Sequence, residues 1–168
     1  MLVILLIGSI SSLVLVSFPA SSQHYLQQER DHLRDQLDFA LNISQQDGMI
    51  LGLQIHPQGW VFKTMKYHGP EAVFSAIRKD DHVWKTWQPR YVVMEGNLSD
   101  EFSLEVLLQG KSFQQLSNDK SAPQILLLPD GETTPFIVLF KQNGSKDVAG
   151  LRIDQNWNIE VFQDEDVQ

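Results

Sequence analysis

Met1 to Phe18 reads MLVILLIGSISSLVLVSF, a run without a single charged side chain. A membrane-spanning helix needs about 20 consecutive apolar residues, with a lower limit of about 17. The run is therefore just long enough to cross a bilayer. Gly8, Ser9, Ser11, Ser12 and Ser17 dilute it with small residues, which let a second helix approach closely. Three accounts of this stretch stay open. A cleaved secretory signal has a basic start, an apolar stretch of about 7–15 residues and a small-x-small cleavage site. Ser17-Phe18-Pro19-Ala20-Ser21-Ser22 offers such a site, but no Lys or Arg precedes the run. A signal anchor carries flanking cations that set its orientation, and the first cation here is Arg30. A start lying upstream, so that the sequence opens partway into an apolar helix, accounts for the missing charge.

Downstream of Pro19 the pattern changes. Leu26, Leu33, Leu37, Ala40 and Leu41 fall on one face of a helix, with Glu29, Arg30, Asp31, Arg34, Asp35 and Asp38 on the remainder. Asp31 and Asp35 repel mildly, and Arg30 and Arg34 offset it. Asp47-Gly48 is a helix stop, the Gly supplying a left-handed residue. Pro19 kinks such a helix rather than ending it; two helices joined at Pro19 are the alternative. One helix of about 45 residues would be roughly 70 Å long. No domain built from the remaining chain covers that length, so its first half must be buried in lipid or among other helices. The expected organisation is a transmembrane or assembly helix over 1–19, its amphipathic continuation over 20–47, and a β-rich domain over 48–168.

The β-rich part follows from alternation. Met49 to His56 and Trp60 to Tyr67 form a hairpin about a Pro57-Gln58-Gly59 turn. Residues 71–77 suit a short helical turn. Arg90 to Met94 is expected as a short strand, and Phe102, Leu104, Val106 and Leu108 alternate in another. Residues 109–123 look like a mobile loop. Gln124 to Leu128 and Phe136 to Lys141 flank a Pro129-Asp130-Gly131 turn. Val148 to Ile153 and Trp157 to Phe162 close the domain as a hairpin about Asp154-Gln155-Asn156, and 163–168 fray. The fold class is α+β: a long N-terminal helix, transmembrane then amphipathic, followed by an antiparallel β-sandwich-like domain of six to eight strands, the helix end lying across one face.

The sequence holds no cysteine, which removes disulfides, thiolate metal sites and thiol catalysis together. A net charge of −8 opposes phosphate backbones, and Asp80-Asp81 follow the clearest basic pair, Arg78-Lys79, so no nucleic-acid partner is expected. His24, His32, His56, His68 and His82 lack the spacing of a zinc-protease helix. Gly110-Lys111-Ser112 resembles the end of a phosphate loop, but Glu105 stands where its first Gly belongs. No catalytic residue, cofactor or metal site emerges. Trp84, Trp87 and the 109–123 loop are candidates for partner contact, with ordinary core or loop as the equal alternative.

An apolar run, a proline near its end, an amphipathic continuation and then hairpins resemble the type IV pilins and the pseudopilins of type II secretion. Met1 to Gly8 is similar to the segment that follows the processing site in that superfamily. Ala40 to Ile55 resembles the helix-to-strand passage of the minor pseudopilin GspH family. Pro129-Asp130-Gly131-Glu132-Thr133-Thr134-Pro135-Phe136 is similar to that family's Pro-Asp-Gly-Glu-x-Thr-Pro-Phe stretch. The resemblance implies a structural subunit in a bacterial inner membrane, with its β domain in the periplasm. Its partners would be other pseudopilins, through helix packing and β-domain contacts. Leu2, Ile4, Leu5, Ile7, Leu13, Val16 and Pro19 would serve the membrane and assembly helix. Family members carry a basic leader, a Gly and Phe-Thr-Leu-x-Glu before this segment. The expectation is that such a motif lies in frame upstream, and with it a prepilin peptidase as partner. A minor pilin of a DNA-uptake pilus, or a secreted binding protein freed of its signal peptide, are the rival readings.

Overall fold

The computed structural model describes residues 22–65, 84–108, 111–112, 122–131, 133 and 135–163. The residues expected to form the membrane helix and the 71–77 turn, together with Glu132, Thr134, most of 109–121 and the 164–168 tail, lie outside them. Among the described residues, no helix is long and apolar enough to cross a membrane.

Helix α1 spans Ser22–Asp47. Its buried stripe is Leu26, Arg30, Leu33, Leu37, Ala40 and Ser44, with Gln36 beside it. The spacings of four, three, four, three and four make one continuous helical face. Leu41, expected on this face, is only half-buried. The helix ends where Gly48 takes φ +65° and the Met49 amide reaches back to the Ser44 carbonyl at 3.1 Å. That six-to-one bond closes the last turn.

Ten strands make two five-stranded antiparallel sheets among the described residues. The first sheet holds β1 (Leu51–His56), β2 (Gly59–Met65), β3 (Trp84–Thr86), β4 (Glu95–Asn97) and β7 (Ile125–Leu127). Its order is β3-β2-β1-β7, with β4 sharing the β3 edge of β2. The second sheet runs β10 (Ile159–Gln163), β9 (Val148–Ile153), β8 (Phe136–Gln142), β5 (Phe102–Leu108), β6 (Lys111–Ser112). Alternation on β5 and β8 buries Phe102, Leu104, Val106, Phe136, Val138 and Phe140 while their neighbours face outward. Helix α1 lies on β8 and β9 and reaches β7, so its stripe joins both sheets in one core.

Several expectations need correction. Arg90 to Met94 is no strand: Tyr91 holds φ +68° in a turn, which breaks the extended backbone, and pairing with β2 begins only at Glu95. Within the expected 109–123 loop, Lys111 and Ser112 pair with Leu108 and Leu107 as β6. The sequence left open how the strands flanking Pro129-Asp130-Gly131 pair; β7 pairs with β1 and β8 with β5 and β9. The turn carries the chain from one sheet to the other.

The closing hairpin forms as the alternation predicts. The Asp154 carboxylate organises its turn, accepting from the Asn156 amide at 2.7 Å, the Asn158 amide at 3.0 Å and the Asn158 side chain at 2.8 Å. These bonds, the Asn158 side chain foremost, hold the Asp154 carboxyl below its ordinary value. A lowered carboxyl stabilises the fold above the unfolded value, about 3.9, and that contribution is lost as pH falls through the folded value. Asp154→Ala should therefore flatten the acid limb of the stability curve and speed amide exchange at Asn156 and Asn158. An unchanged acid limb would contradict this.

Candidate partner-contact surface

The residues between β3 and β4 cross in front of α1 and are tied down from behind. The Trp87 amide donates to the Phe62 carbonyl at 2.8 Å, and the Phe62 amide donates to the Met94 carbonyl at 3.0 Å. The Trp87 ring stacks on Phe39 of α1 with centroids 6.0 Å apart. Between these anchors, Gln36 reaches out of the helix. Its amide nitrogen donates to the Val93 carbonyl at 2.8 Å and lies 3.3 Å from the Glu95 carbonyl. Its amide oxygen accepts the Trp60 indole N–H at 2.6 Å.

The orientation of this amide has no freedom. Indole N–H only donates and the backbone carbonyls only accept, so a flipped carboxamide would meet a repulsion at each partner. The nitrogen also stands 3.0 Å from His32 Nε2. Gln36→Met keeps the volume but strands the buried indole N–H and the Val93 carbonyl. The expected cost is about 1–3 kcal/mol, read by urea unfolding, with faster exchange at residues 92–95. A loss below about 0.5 kcal/mol would contradict the network's role.

What the anchors hold up is apolar. Tyr91 is 100% exposed, Val93 67% and Val92 36%. They border an open depression of about 430 Å³ with Thr86, Gln88 and Pro89. A second depression, of about 620 Å³, lies along the outer helix face between His24, Gln28, Asp31 and Asp35. Among the described residues, no three His, Cys, Asp or Glu side chains could hold a metal ion.

The two tryptophans chosen from sequence separate. Trp87 is 8% exposed and belongs to the core. Trp84 is half-buried on the outer face of the first sheet, where its ring and Pro123 close over Gly52. In the Pro129–Phe136 stretch, Gly131 takes φ +80° and its amide donates to the Leu128 carbonyl at 3.0 Å. Phe136 is buried and Pro135 exposed. Gln45 near the end of α1 lies beside Gly131. Sequence reasoning missed Gln36, Arg30 and Ser44. The signal was available in their spacing from Leu26, Leu33 and Ala40, but charge placed Arg30 outside and the other two were assigned to no face. Tyr91 carried no signal, since one exposed aromatic is ordinary in a sequence.

No model of a protein family matches the chain. Among curated proteins, the type II secretion system protein H of Klebsiella michiganensis is 35% identical over 163 residues, covering 95% of this chain and 89% of that protein. The chain belongs to the type II secretion system protein H family. The Dickeya chrysanthemi member is 32% identical, covering 95% of this chain and 88% of its own length. Solved structures of the family share the fold. The minor pseudopilin EpsH of Vibrio cholerae has a TM-score of 0.58 at 16% identity, covering 86% of this chain and 98% of that one. The solution structure of GspH from E. coli has a TM-score of 0.57 at 17% identity, covering 89% and 99%. The helix-then-two-sheets architecture is thus that of the protein H pseudopilins.

Proposed function

We propose that the chain is a minor pseudopilin: a structural subunit, without catalytic activity, of the apparatus that exports folded proteins by type II secretion. Family membership at 35% identity carries this reading. In it, the Met1–Phe18 run anchors the subunit in the inner membrane by a single pass, with the 48–168 domain in the periplasm. During assembly the same run leaves lipid and packs among sister helices through Leu2, Ile4, Leu5, Ile7, Leu13 and Val16. Burial in either setting is similarly favourable, so the transfer is nearly balanced and an external motor can drive it. The partners are other pseudopilins, the membrane before assembly and, if the true N-terminus lies upstream, a prepilin peptidase.

The test is complementation. A strain lacking the gene should lose export of its type II cargo. The native gene should restore it, and a variant with Asp at Leu5 and Leu13 should not, although its folded domain is unaltered. A charge at a membrane-helix centre costs about 2.5–3.5 kcal/mol. Full export with both substitutions would overturn the assembly role of the helix.

A further inference from the structure

We propose that Asn143–Gly144 is a site of spontaneous deamidation gated by the β4–β5 turn, which holds the Asn143 carboxamide and confines the reaction to chains in which that turn and the β8–β9 turn have parted. The site is independent of the assembly role proposed above. Asn143 is the one asparagine of the chain that glycine follows; the others precede side chains such as Ile43, Leu98 and Ile159. Deamidation begins with attack by the next residue's backbone nitrogen, and only glycine puts no Cβ in the way. The Gly144 nitrogen gives its proton to a solvent base and bonds to Asn143 Cγ. The Cγ–Nδ2 bond breaks, ammonia leaves, and a cyclic succinimide remains. Water opens that ring at either carbonyl, giving aspartate or isoaspartate. The step needs no oxidant, metal or enzyme.

The fold dictates both residues of the pair. Gly144 takes φ +79° in the β8–β9 turn, where the Ser145 amide donates to the Gln142 carbonyl at 3.2 Å. Glycine meets that torsion without strain. Asn143 ties this turn to the β4–β5 turn. Its Nδ2 donates to the Asp100 carbonyl at 2.9 Å, its Oδ1 accepts from the Ser103 hydroxyl at 3.1 Å, and its backbone amide donates to the Glu101 carbonyl at 2.8 Å. Both residues are exposed, and nothing lies within 4 Å of where a Gly144 Cβ would stand. Water therefore reaches the pair freely, and what restrains the reaction is the hold on the carboxamide. Ring closure swings Cγ onto the Gly144 nitrogen, so the bonds to Asp100 and Ser103 must break first. Two exposed bonds of this kind slow the reaction roughly tenfold.

The change is one-way. The carboxamide nitrogen donates to the Asp100 carbonyl, and a carboxylate has no donor to offer in its place. The new charge also arrives beside Asp100 and Glu101 in a chain of net charge −8. In the same turn Asp147 Oδ2 lies 3.5 Å from Ser22 Oγ at the start of α1. The mark thus falls where the helix joins the domain, and a chain that has opened there long enough to react does not regain its original join.

The test incubates the full chain, purified in detergent, in mildly alkaline buffer with and without urea. Peptide mapping by mass spectrometry follows conversion of Asn143, with Asn97 and Asn158 as internal controls. Conversion is expected at Asn143 and not at the controls, and roughly tenfold faster in urea. Ser103→Ala should speed the reaction severalfold without urea, leave the rate in urea unchanged and keep the thermal midpoint. Ser103→Thr, which retains the hydroxyl, should return the slow rate. Asn143→Asp copies one product and should speed amide exchange at position 143 roughly fivefold. Equal rates with and without urea, no conversion of Asn143 in urea, or a Ser103→Ala rate equal to that of the unaltered chain would each overturn the proposal.

Discussion

Trp60→Ala is expected to destabilise the domain by about 3–5 kcal/mol, measured by urea unfolding with matched m-values. Trp60 is 1% exposed on β2. Its ring meets Phe140 of the second sheet edge-on at 5.9 Å and His32 of α1 at 5.8 Å. Its N–H is held by Gln36 at 2.6 Å. One side chain thus joins the helix and both sheets, and its removal leaves a cavity where these layers converge. The Gln36 amide oxygen loses its donor at the same time, which adds to the loss. Domains of this kind are stable by about 5–15 kcal/mol in all, so the loss is a large fraction of the total. A loss under about 1.5 kcal/mol would mean that the convergence at Trp60 does not hold the layers together.

Gly96→Ala is the complementary case. A Cβ at Gly96 would stand 2.1 Å from Trp60 Cζ2, well inside van der Waals contact. The indole cannot simply retreat, because Gln36 holds its N–H and Phe140 lies against it. Nor can β4 easily move away, since Gly96 is registered against Trp60 in the ladder. Overpacking of this sort costs about 1–3 kcal/mol and occasionally more, and the upper end is expected here. The two substitutions should also couple. With Trp60 reduced to Ala, the new methyl enters the vacated space, so the double variant should be less destabilised than the sum by more than about 1 kcal/mol. Strict additivity would show that the two residues do not contend for one volume.

Both effects come from residues whose importance the sequence hides. Period-two alternation revealed β1, β5, β8 and β9 nearly to the residue, because each buries one face against a continuous core. The closing hairpin was legible for the same reason, with Asp154 and Asn156 supplying turn chemistry. Alternation could not say which strands pair, and so the Pro129-Asp130-Gly131 turn was readable as a turn but not as a passage between sheets. Its neighbours β7 and β8 look like hairpin partners until β1 and β5 compete for them. Arg90 to Met94 failed as a strand because a single backbone torsion at Tyr91 decides it, and no residue type there announces a positive φ.

Arg30 was misplaced on the solvent face by a rule that is usually sound, and Ser44 was assigned to no face. Arg30 is buried with its guanidinium on the Phe162 carbonyl at 3.3 Å and on Asp31 at 2.9 Å. Ser44 places its hydroxyl within 2.7 Å of the Met49 carbonyl and 3.1 Å of the Leu127 carbonyl. Each sits at the spacing of a core residue but ends on the backbone of a distant strand, β10 or β7. Such partners exist only once the fold has formed. Gln124 shows the same principle at a sheet edge. Its carboxamide accepts from the Ile55 amide at 2.8 Å and donates to the Ile55 carbonyl at 3.0 Å. A side chain thereby continues the ladder that the short β7 leaves off, and covers an edge that would otherwise invite pairing.

The most direct test of the central claim uses the absence of native cysteine. A single cysteine at Val16 of the full chain, in cells with an intact secretion apparatus, is oxidised in situ and the membranes are then pelleted. A pseudopilin assembled through its N-terminal helix should pellet with the membrane and form mixed disulfides with similarly marked sister subunits. A full-length chain that stays in the supernatant as a monomer without detergent, and forms no mixed disulfide, would contradict the account.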